Sequence, residues 1–345
     1  MLRQDFTGSL RKLLENASRI AVVSHMHPDG DAVGCSCGLV HFLKGSLGKT
    51  AVAVVPDEIP DSIEFLRCPE LVIASEEPGR AGEEIASCDL LFCVDMNAFN
   101  RAGSLQESLA SCTAPKVLVD HHLNPDRERF ALVASETEMS SASELMFRIL
   151  VQLAGGDAAT LSESCRTALM TGMTTDTNNF ANSVYPSTLE MASVLLETGV
   201  DRDMILSHLY NEYRENRVRA MGYFLGELLH ITPDGVAYIV VTEEIRSRFD
   251  LRDGETEGFV NIPLSIGKVR ISILLKEDDG YYRVSIRSKK GTSANRLAGL
   301  YFNGGGHENA AGGRLYFPKD IASKDGASEY IEKVTARFLR DEAPE

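Results

Sequence analysis

The sequence predicts an α/β protein of two domains, a larger one with a mostly parallel sheet flanked by helices and a smaller α+β one at the C-terminal end. The chain has 345 residues, which is more than one hydrophobic core usually holds. Short β-branched apolar runs alternate with helical patterns in the first half, as in parallel strands joined by crossover helices. After a helical middle section, strand-like runs return only beyond residue 235, which indicates the second domain.

The larger domain is predicted from four apolar runs and four helical patterns. The strand candidates are Ile20–Val23, Ala51–Val55, Leu90–Val94 and Val117–Val119. The helix candidates are Ala32–Leu47, Ser140–Leu153, Leu161–Met173 and Thr188–Leu196. The runs are almost entirely apolar, as expected for strands that are covered on both faces.

The smaller domain is predicted from three strands, Val236–Val241, Val269–Leu275 and Tyr282–Ile286, and from helices at Ser293–Tyr301 and Lys324–Leu339. The densely charged segment Asn211–Arg219 predicts a solvent-exposed helix within a linker. We therefore expect a larger domain at 1–210, a linker at 211–232 and a smaller domain at 233–345, with a cleft between the two domains.

Composition limits the possible partners. A net charge of −15 argues against a protein that coats long nucleic acid, because that mode needs many phosphate contacts. A small phosphorylated ligand in a local pocket remains compatible with this charge. The sequence has no apolar run near the ~20 residues needed to cross a bilayer, and charged residues interrupt its first apolar positions. We expect a cytoplasmic protein without membrane contact, and the oligomeric state, a homodimer included, stays open.

Polar residues follow three of the predicted strands. They are His25, Asp29 and Asp31 after the first strand, Asp95 after the third, and Asp120, His121 and His122 after the fourth. In open parallel sheets the ligand crevice lies beyond the carboxyl ends of the strands, so these side chains should meet.

Each group taken alone could also have a purely structural role. Pro28-Asp29-Gly30-Asp31 could be only a turn, and Asp95 could cap a loop. Adjacent imidazoles at a buried strand end are harder to account for structurally, since ordinary cores avoid unsatisfied polar atoms. Asp176 ends a predicted helix at the unfavourable end of the dipole, so it needs a compensating partner such as a cation.

The candidate ligands are four carboxylates and two imidazoles, and the four carboxylates balance the four positive charges of two divalent ions. Mixed ligands of this kind suit Mn²⁺ best, with Mg²⁺, Co²⁺ or Fe²⁺ as alternatives. Two adjacent ions of this type support in-line displacement at phosphorus by an activated water. The residues therefore predict hydrolysis of a phosphate ester.

The motifs resemble, in order, those of the DHH phosphoesterases. They are His25-x-His-Pro-Asp29-Gly-Asp31-Ala, Asp95, Asp120-His121-His122 and Thr-Gly-x-x-x-Asp176-Thr. Gly304-Gly305-Gly306-His307-x-x-Ala310-Ala311-Gly312 resembles the signature of the DHH-associated domain. Within this family, the motif residues are most similar to those of the branch that contains nano-RNases and 3′-phosphoadenosine 5′-phosphate phosphatases.

The resemblance implies a role for each motif residue in the first half. One metal ion would be held by His25, Asp29 and Asp95, and the other by Asp31, Asp95, His121 and Asp176. His122 would face the scissile phosphate, and Asp120 would orient an imidazole, so that Asp95, Asp120 and His122 form the catalytic group.

The resemblance also implies a substrate-binding function for the smaller domain. Gly304, Gly305 and Gly306 would form a backbone cradle for a phosphate beside His307, because consecutive glycines expose their N–H groups to an anion. Arg287 could add a bidentate contact, and Arg101 is a further candidate. The alternatives are a glycine-rich turn and solvated surface arginines.

The predicted function is metal-dependent hydrolysis of short RNA or DNA oligonucleotides, of linear dinucleotides such as pApA, or of 3′-phosphoadenosine 5′-phosphate. Two alternatives remain open at this point. The same metal centre could hydrolyse inorganic pyrophosphate or polyphosphate, and a protein of another class could sense nucleotides without cleaving them.

Overall fold

The computed structural model describes residues 4–252 and 254–341, so the outer ends of the predicted domains, residues 1 and 345, lie outside the described residues. The chain folds into two units, Met1–Glu212 and Tyr213–Glu345. Within the described residues, no helix is both long enough and apolar enough to span a bilayer.

The first unit is built on a parallel six-stranded sheet. Its strands are β1 (Arg19–Val23), β2 (Thr50–Val55), β3 (Leu71–Ile73), β4 (Leu90–Val94), β5 (Lys116–Asp120) and β6 (Leu132–Ser135). Their spatial order is β3-β2-β1-β4-β5-β6, and all neighbours pair in parallel. The order reverses between β1 and β4, which is the place where doubly wound sheets bind ligands.

Helices cover both faces of this sheet. They are α1 (Gln4–Asn16), α2 (Gly30–Gly45), α3 (Pro78–Ser87), α4 (Gln106–Ser111), α5 (Ala142–Leu153), α6 (Glu163–Asp176), α7 (Pro186–Glu197) and α8 (Arg202–Tyr210). The strand side chains separate into two apolar clusters, one on each face. The predicted α/β class with a parallel sheet is confirmed, whereas the edge strands β3 and β6 were missed because they are only 3 and 4 residues long.

The second unit holds a mixed sheet. Its strands are β7 (His230–Ile231), β8 (Val236–Val241), β9 (Ile271–Asp278), β10 (Tyr281–Ser288), β11 (Gly305–Gly306) and β12 (Ala310–Tyr316), in the spatial order β11-β12-β10-β9-β8-β7. Its helices are α9 (Glu215–Tyr223), α10 (Glu243–Arg248), α11 (Ala294–Tyr301) and α12 (Ala327–Asp341). The predicted α+β character of this part is confirmed.

The charged segment after residue 210 agrees with the expectation of a solvent-exposed helix. Every residue of 211–219 is exposed or half-buried, and the helix α9 begins within this range at Glu215. The helix lies in the second unit and continues beyond the predicted range. Ala220 and Phe224, which follow that range, are fully buried in an apolar cluster of the second unit.

Candidate active site

The loops after β1 and β4 start next to each other at the point where the strand order reverses. His25 follows β1 and Asp95 follows β4, and the two strands pair directly. Asp95 has a φ of +54° and is only 2% exposed. A positive φ is uncommon for a residue other than glycine, and such outliers cluster at functional sites.

One cluster joins His25, Asp29 and Asp95. The Nε2 atom of His25 lies 3.2 Å from Asp95 Oδ2 and 3.8 Å from Asp29 Oδ1. The Nδ1 atom of His25 lies 2.9 Å from the Met26 carbonyl, which accepts the Nδ1–H and leaves Nε2 for the carboxylates. One ligand atom from each of these three residues could reach a single metal ion.

A second cluster joins Asp31, His121 and Asp176. The Nε2 atom of His121 lies 3.5 Å from Asp176 Oδ2 and 3.9 Å from Asp31 Oδ2. The same Nε2 lies 3.5 Å from Asp95 Oδ1. Asp95 therefore stands between the two clusters, with one carboxylate oxygen toward each histidine.

Asp31 and Asp176 come from helices that approach unusually closely. A Cβ atom on Gly34 of α2 would lie 2.5 Å from the carbonyl oxygen of Ala168 in α6. A Cβ atom on Gly172 of α6 would lie 2.9 Å from Asp31 Oδ1. Only glycine permits these contacts, so α2 and α6 bring the first turn of one helix beside the last turn of the other.

Backbone amides hold Asp31 in place. Its Oδ2 accepts a hydrogen bond from Ala142 N at 2.7 Å, and its Oδ1 accepts one from Ser143 N at 2.9 Å. Both amides belong to the first turn of α5, where unpaired N–H groups favour an anion. This contact and the role of Gly34 were not predicted from the sequence, although Gly30, Gly34 and Gly38 recur at the four-residue spacing of one helix face.

Asp120 orients His122. The Nδ1 atom of His122 lies 2.8 Å from Asp120 Oδ1, and the backbone N of His122 donates to Asp120 Oδ2 at 3.2 Å. Both residues are buried. A ring that donates through Nδ1 keeps Nε2 for a proton or a phosphate oxygen, and the carboxylate fixes that tautomer.

The two cluster histidines have raised pKa values. Burial lowers the pKa of His25, but hydrogen bonding to Asp95 and the charges of Asp29 and Asp95 outweigh burial and raise it to about 9. Burial also lowers the pKa of His121, but Asp176 and Asp95 raise it well above the usual value. Without metal, His25 and His121 therefore bind protons more readily than usual, because several carboxylates lie close to them.

The carboxylates of the two clusters also lack enough neighbouring positive charge. Burial raises the pKa of Asp31 well above its ordinary value, and the charges of Asp95 and Asp176 raise it further. The Oδ1 atom of Asp95 is buried and receives no hydrogen bond from any described residue. A cation between these groups would remove the repulsion and satisfy this oxygen, so the residues present fit a metal site.

Arg101 lies close to the same cluster. Its backbone carbonyl accepts a hydrogen bond from Met26 N at 2.7 Å, which ties the loop after β4 to the loop after β1. Burial lowers the pKa of His122, and the Arg101 guanidinium acts in the same direction. This places a positive charge within electrostatic range of the site.

In the second unit, three amides of the glycine-rich loop are used internally. Gly304 N donates to the Ala298 carbonyl, Gly306 N to Asn295 Oδ1 and His307 N to the Ala310 carbonyl. The predicted backbone cradle is therefore corrected at Gly304 and Gly306, whose N–H groups already have acceptors, and stays a prediction at Gly305. The glycines instead permit a close approach, since a Cβ on Gly306 would lie 2.6 Å from the Ala310 carbonyl oxygen.

Arg287 lies next to this loop. It pairs with Ala310 in the register of β10 and β12, and the neighbouring Ala311 pairs with Gly306. The Arg287 side chain is half-buried, and its Nη1 donates to the Ile286 carbonyl at 3.0 Å. Arg287 and the glycine-rich loop thus occupy the same end of the sheet.

Two family models match the chain. The DHH family, N-terminal domain, matches residues 19–173, and the DHHA1 domain matches residues 234–334. The first match contains the loops after β1, β4 and β5, while Asp176 lies just beyond its end. The second contains Arg287 and the glycine-rich loop.

Whole-chain comparisons extend these matches. The bifunctional oligoribonuclease and PAP phosphatase NrnA of Thermus thermophilus is 30% identical, over 86% of this chain and 84% of its own length. The probable bifunctional oligoribonuclease and PAP phosphatase NrnA of Streptococcus mutans is 27% identical, over 86% and 89%. The crystal structure of an exopolyphosphatase-related protein from Bacteroides fragilis superposes with a TM-score of 0.89 at 35% identity, over 99% of this chain and 98% of the other.

Proposed function

The chain belongs to the DHH family of phosphoesterases, and from this premise we propose that it hydrolyses short oligonucleotides, linear dinucleotides such as pApA, and 3′-phosphoadenosine 5′-phosphate. The observation that carries the proposal is the position of Asp95, whose carboxylate is shared by two His/Asp clusters at the switch point of the sheet. Similarity to the NrnA proteins supports the choice of substrates. A cytoplasmic location stays a prediction, and the oligomeric state stays open.

The proposal assigns two metal ions to the two clusters. His25, Asp29 and Asp95 would hold one ion, and Asp31, Asp95, His121 and Asp176 the other, with Mn²⁺ as the best fit to this mixture of ligands. Bound ions would supply a nucleophilic water and neutralise charge on the phosphate oxygens. The first turn of α5 keeps Asp31 in place for this purpose.

The chain's own side chains would complete the chemistry. Asp120 holds the His122 ring through Nδ1, so His122 Nε2 can contact a phosphate oxygen or carry a proton. Arg101 adds positive charge near the same place, where a substrate phosphate would gather negative charge. We assign His122, Asp120 and Asp95 as the catalytic group.

In the second unit, we assign substrate binding to Arg287, His307 and Gly304–Gly306. The register of β10, β12 and β11 places Arg287 beside the loop, and guanidinium groups bind phosphate bidentately. With three loop amides already engaged, the contacts to an anion would come mainly from side chains. The role of the glycines would then be to keep the loop close to β12.

A substrate panel tests the proposal. The purified protein with Mn²⁺ would be assayed on a 5′-phosphorylated dinucleotide, a pentanucleotide, 3′-phosphoadenosine 5′-phosphate, pyrophosphate and polyphosphate. We expect the three nucleotide substrates to be hydrolysed at least about tenfold faster, by kcat/KM, than the two inorganic ones. Chelation should stop all turnover, because the ions supply the nucleophile.

The rival function is hydrolysis of polyphosphate or pyrophosphate. One observation favours it, namely the similarity to the exopolyphosphatase-related protein of Bacteroides fragilis. Faster turnover of the inorganic substrates in the same panel would establish the rival. Tight nucleotide binding without turnover of any substrate would instead indicate a sensor.

A further inference from the structure

The sheet of the second unit has one face that is only partly covered. On the covered face, Tyr282, Val284 and Ile286 of β10 are buried in a core that includes residues of α11 and α12. On the other face, a second apolar cluster covers β8 and reaches Leu274 of β9. Residues of β10 and β12 on this face stay half-exposed, which leaves a strip of the sheet open.

The open strip carries a row of positive charges. Arg283 at the centre of β10 pairs with Lys276 of β9 on one side and with Arg314 of β12 on the other. Directly opposite residues of a sheet place their Cβ atoms only about 5 Å apart on the same face. Three cationic side chains therefore lie side by side across three adjacent strands.

Such a row is unfavourable by itself, because like charges directly opposite one another repel. Neighbouring side chains relieve part of this repulsion. Asp278 Oδ2 accepts a hydrogen bond from Arg283 Nε at 2.6 Å, and the Arg314 guanidinium lies 5.2 Å from the centre of the Tyr281 ring. In a protein with a net charge of −15, a concentration of positive charge on one strip fits an anionic ligand.

The next row of the strip is aromatic. Tyr281 pairs with Tyr316 across β10 and β12, and their ring centres are 5.6 Å apart. Both residues are half-buried, so each keeps part of its surface open to solvent. Aromatic rings beside arginine and lysine are the usual combination for binding single-stranded nucleic acid, in which bases stack on rings and phosphates contact the cations.

We propose that the strip formed by Lys276, Tyr281, Arg283, Arg314 and Tyr316 binds the additional nucleotides of a single-stranded oligonucleotide. The proposal rests on the proposed function, because it extends that function from dinucleotides to longer substrates. Arg287 and Tyr281 are six residues apart on β10, or about 20 Å. A stacked strand rises about 3.4 Å per nucleotide, so this distance is long enough for several nucleotides.

The test uses the double variant Arg283→Ala/Arg314→Ala of the full chain. Binding of a fluorescein-labelled pentanucleotide would be followed by anisotropy in EDTA, across a range of KCl concentrations. We expect Kd to rise about tenfold or more and the slope of log K against log salt to fall by about 1.4, since each phosphate contact to a single strand contributes about 0.7. With Mn²⁺, the ratio of kcat/KM for pentanucleotide over dinucleotide should fall about tenfold.

Two further variants make the result decisive. Arg337→Ala is the matched control, because Arg337 is an exposed arginine of α12 outside the strip, and it should leave Kd and the slope at the wild-type values. Arg283→Lys/Arg314→Lys keeps both charges and should restore most of the slope. Circular dichroism would confirm that all variants fold.

Several outcomes would overturn the proposal. They are a wild-type affinity for the pentanucleotide no higher than that for the dinucleotide, an unchanged slope in the alanine double variant, and an equal loss in Arg337→Ala. The failure of the proposed function looks different. In that case the wild type would bind the pentanucleotide with the expected dependence on the strip, yet would hydrolyse none of the nucleotide substrates in Mn²⁺.

Discussion

The site of the first unit and the open strip of the second unit use charged residues in opposite ways. Around Asp95, charged side chains from four loops and helices are buried together, and their pKa values shift strongly. On the strip, Arg283 keeps 29% of its side chain exposed and follows the simple alternation of one strand. The first arrangement is costly without a ligand, whereas the second keeps part of each side chain in solvent.

The first region must position its side chains accurately, whereas the second needs only to attract an anionic ligand. A buried cluster needs close packing to hold its geometry, so changes far from the substrate can damage it. A partly exposed strip attracts an anion mainly through its charge, so it depends less on exact packing. Changes at Asp95, Gly34 and His25 therefore test positioning in the first unit.

The largest effect is expected for Asp95→Asn. Asparagine tolerates the positive φ of this position, so the fold should persist. The amide cannot balance the charge of two ions, and we expect kcat to fall at least about 100-fold, beyond the range seen for partners of metal ligands. Turnover of the dinucleotide and metal content by mass spectrometry would be measured together.

Asp126→Asn serves as the control for that variant, because Asp126 is a half-buried residue outside both clusters whose side chain pairs with Arg129. It should keep both metal content and kcat. Full activity of Asp95→Asn with two bound ions would remove Asp95 from the centre of the site and break the contrast with the strip.

A second prediction concerns the close approach of α2 and α6. In Gly34→Ala the new Cβ would lie 2.5 Å from a backbone oxygen, so the helices must separate. We expect a loss of about 3 kcal/mol in unfolding free energy, at the upper end for overpacked cores, together with reduced activity from displaced Asp31 and Asp176. Urea denaturation would give the free energy.

The matched variant is Gly82→Ala in α3, where a Cβ would meet no atom of the described residues within 4 Å. It should gain about 0.5–1 kcal/mol, the usual advantage of alanine inside a helix. If both variants behaved alike, the glycine contact would not be what positions the two carboxylates.

The third prediction concerns pH in the absence of metal. His25 has a pKa raised to about 9, so its contribution to stability is fully present below pH 6.5 and disappears as the pH rises through 9. Chelated protein should therefore lose about 2 kcal/mol between pH 7 and pH 9. Bound metal requires the deprotonated imidazole, so stabilisation by Mn²⁺ should grow over the same interval.

Urea denaturation in EDTA and in Mn²⁺ at several pH values would measure both trends. The chelated His25→Ala variant should show a flatter dependence on pH. Equal stability of the chelated wild type at pH 7 and pH 9 would contradict the strong coupling between His25 and its carboxylates.

Much of the fold followed from local pattern. The strands near Ile20, Ala51, Leu90 and Val117 are almost fully apolar, and short apolar runs between helices are typical of buried parallel strands. The edge strands β3 and β6 were not predicted in this way. They have only 3 and 4 residues, and such short runs are hard to separate from loops by pattern alone.

In the candidate site, too, some features were predictable from the sequence and others were not. The loop motifs and the sheet rule predicted that His25, Asp95 and His121 would meet, since all three follow parallel strands at one edge. The predicted amide cradle was corrected at Gly304 and Gly306, because glycine spacing does not reveal which N–H groups already have acceptors. That depends on Asn295 and Ala298, which only the folded chain brings there.

The kinds of ligand atom, and the edge of the sheet at which they collect, follow from local sequence, because strand ends and residue types are local properties. Tertiary structure alone decided that Asp95 lies between two histidines, that the α5 amides hold Asp31, and that Arg283 lies between Lys276 and Arg314. These relations join residues far apart in the chain, and helix packing and strand register fix them. Both are set by the whole core rather than by any one segment.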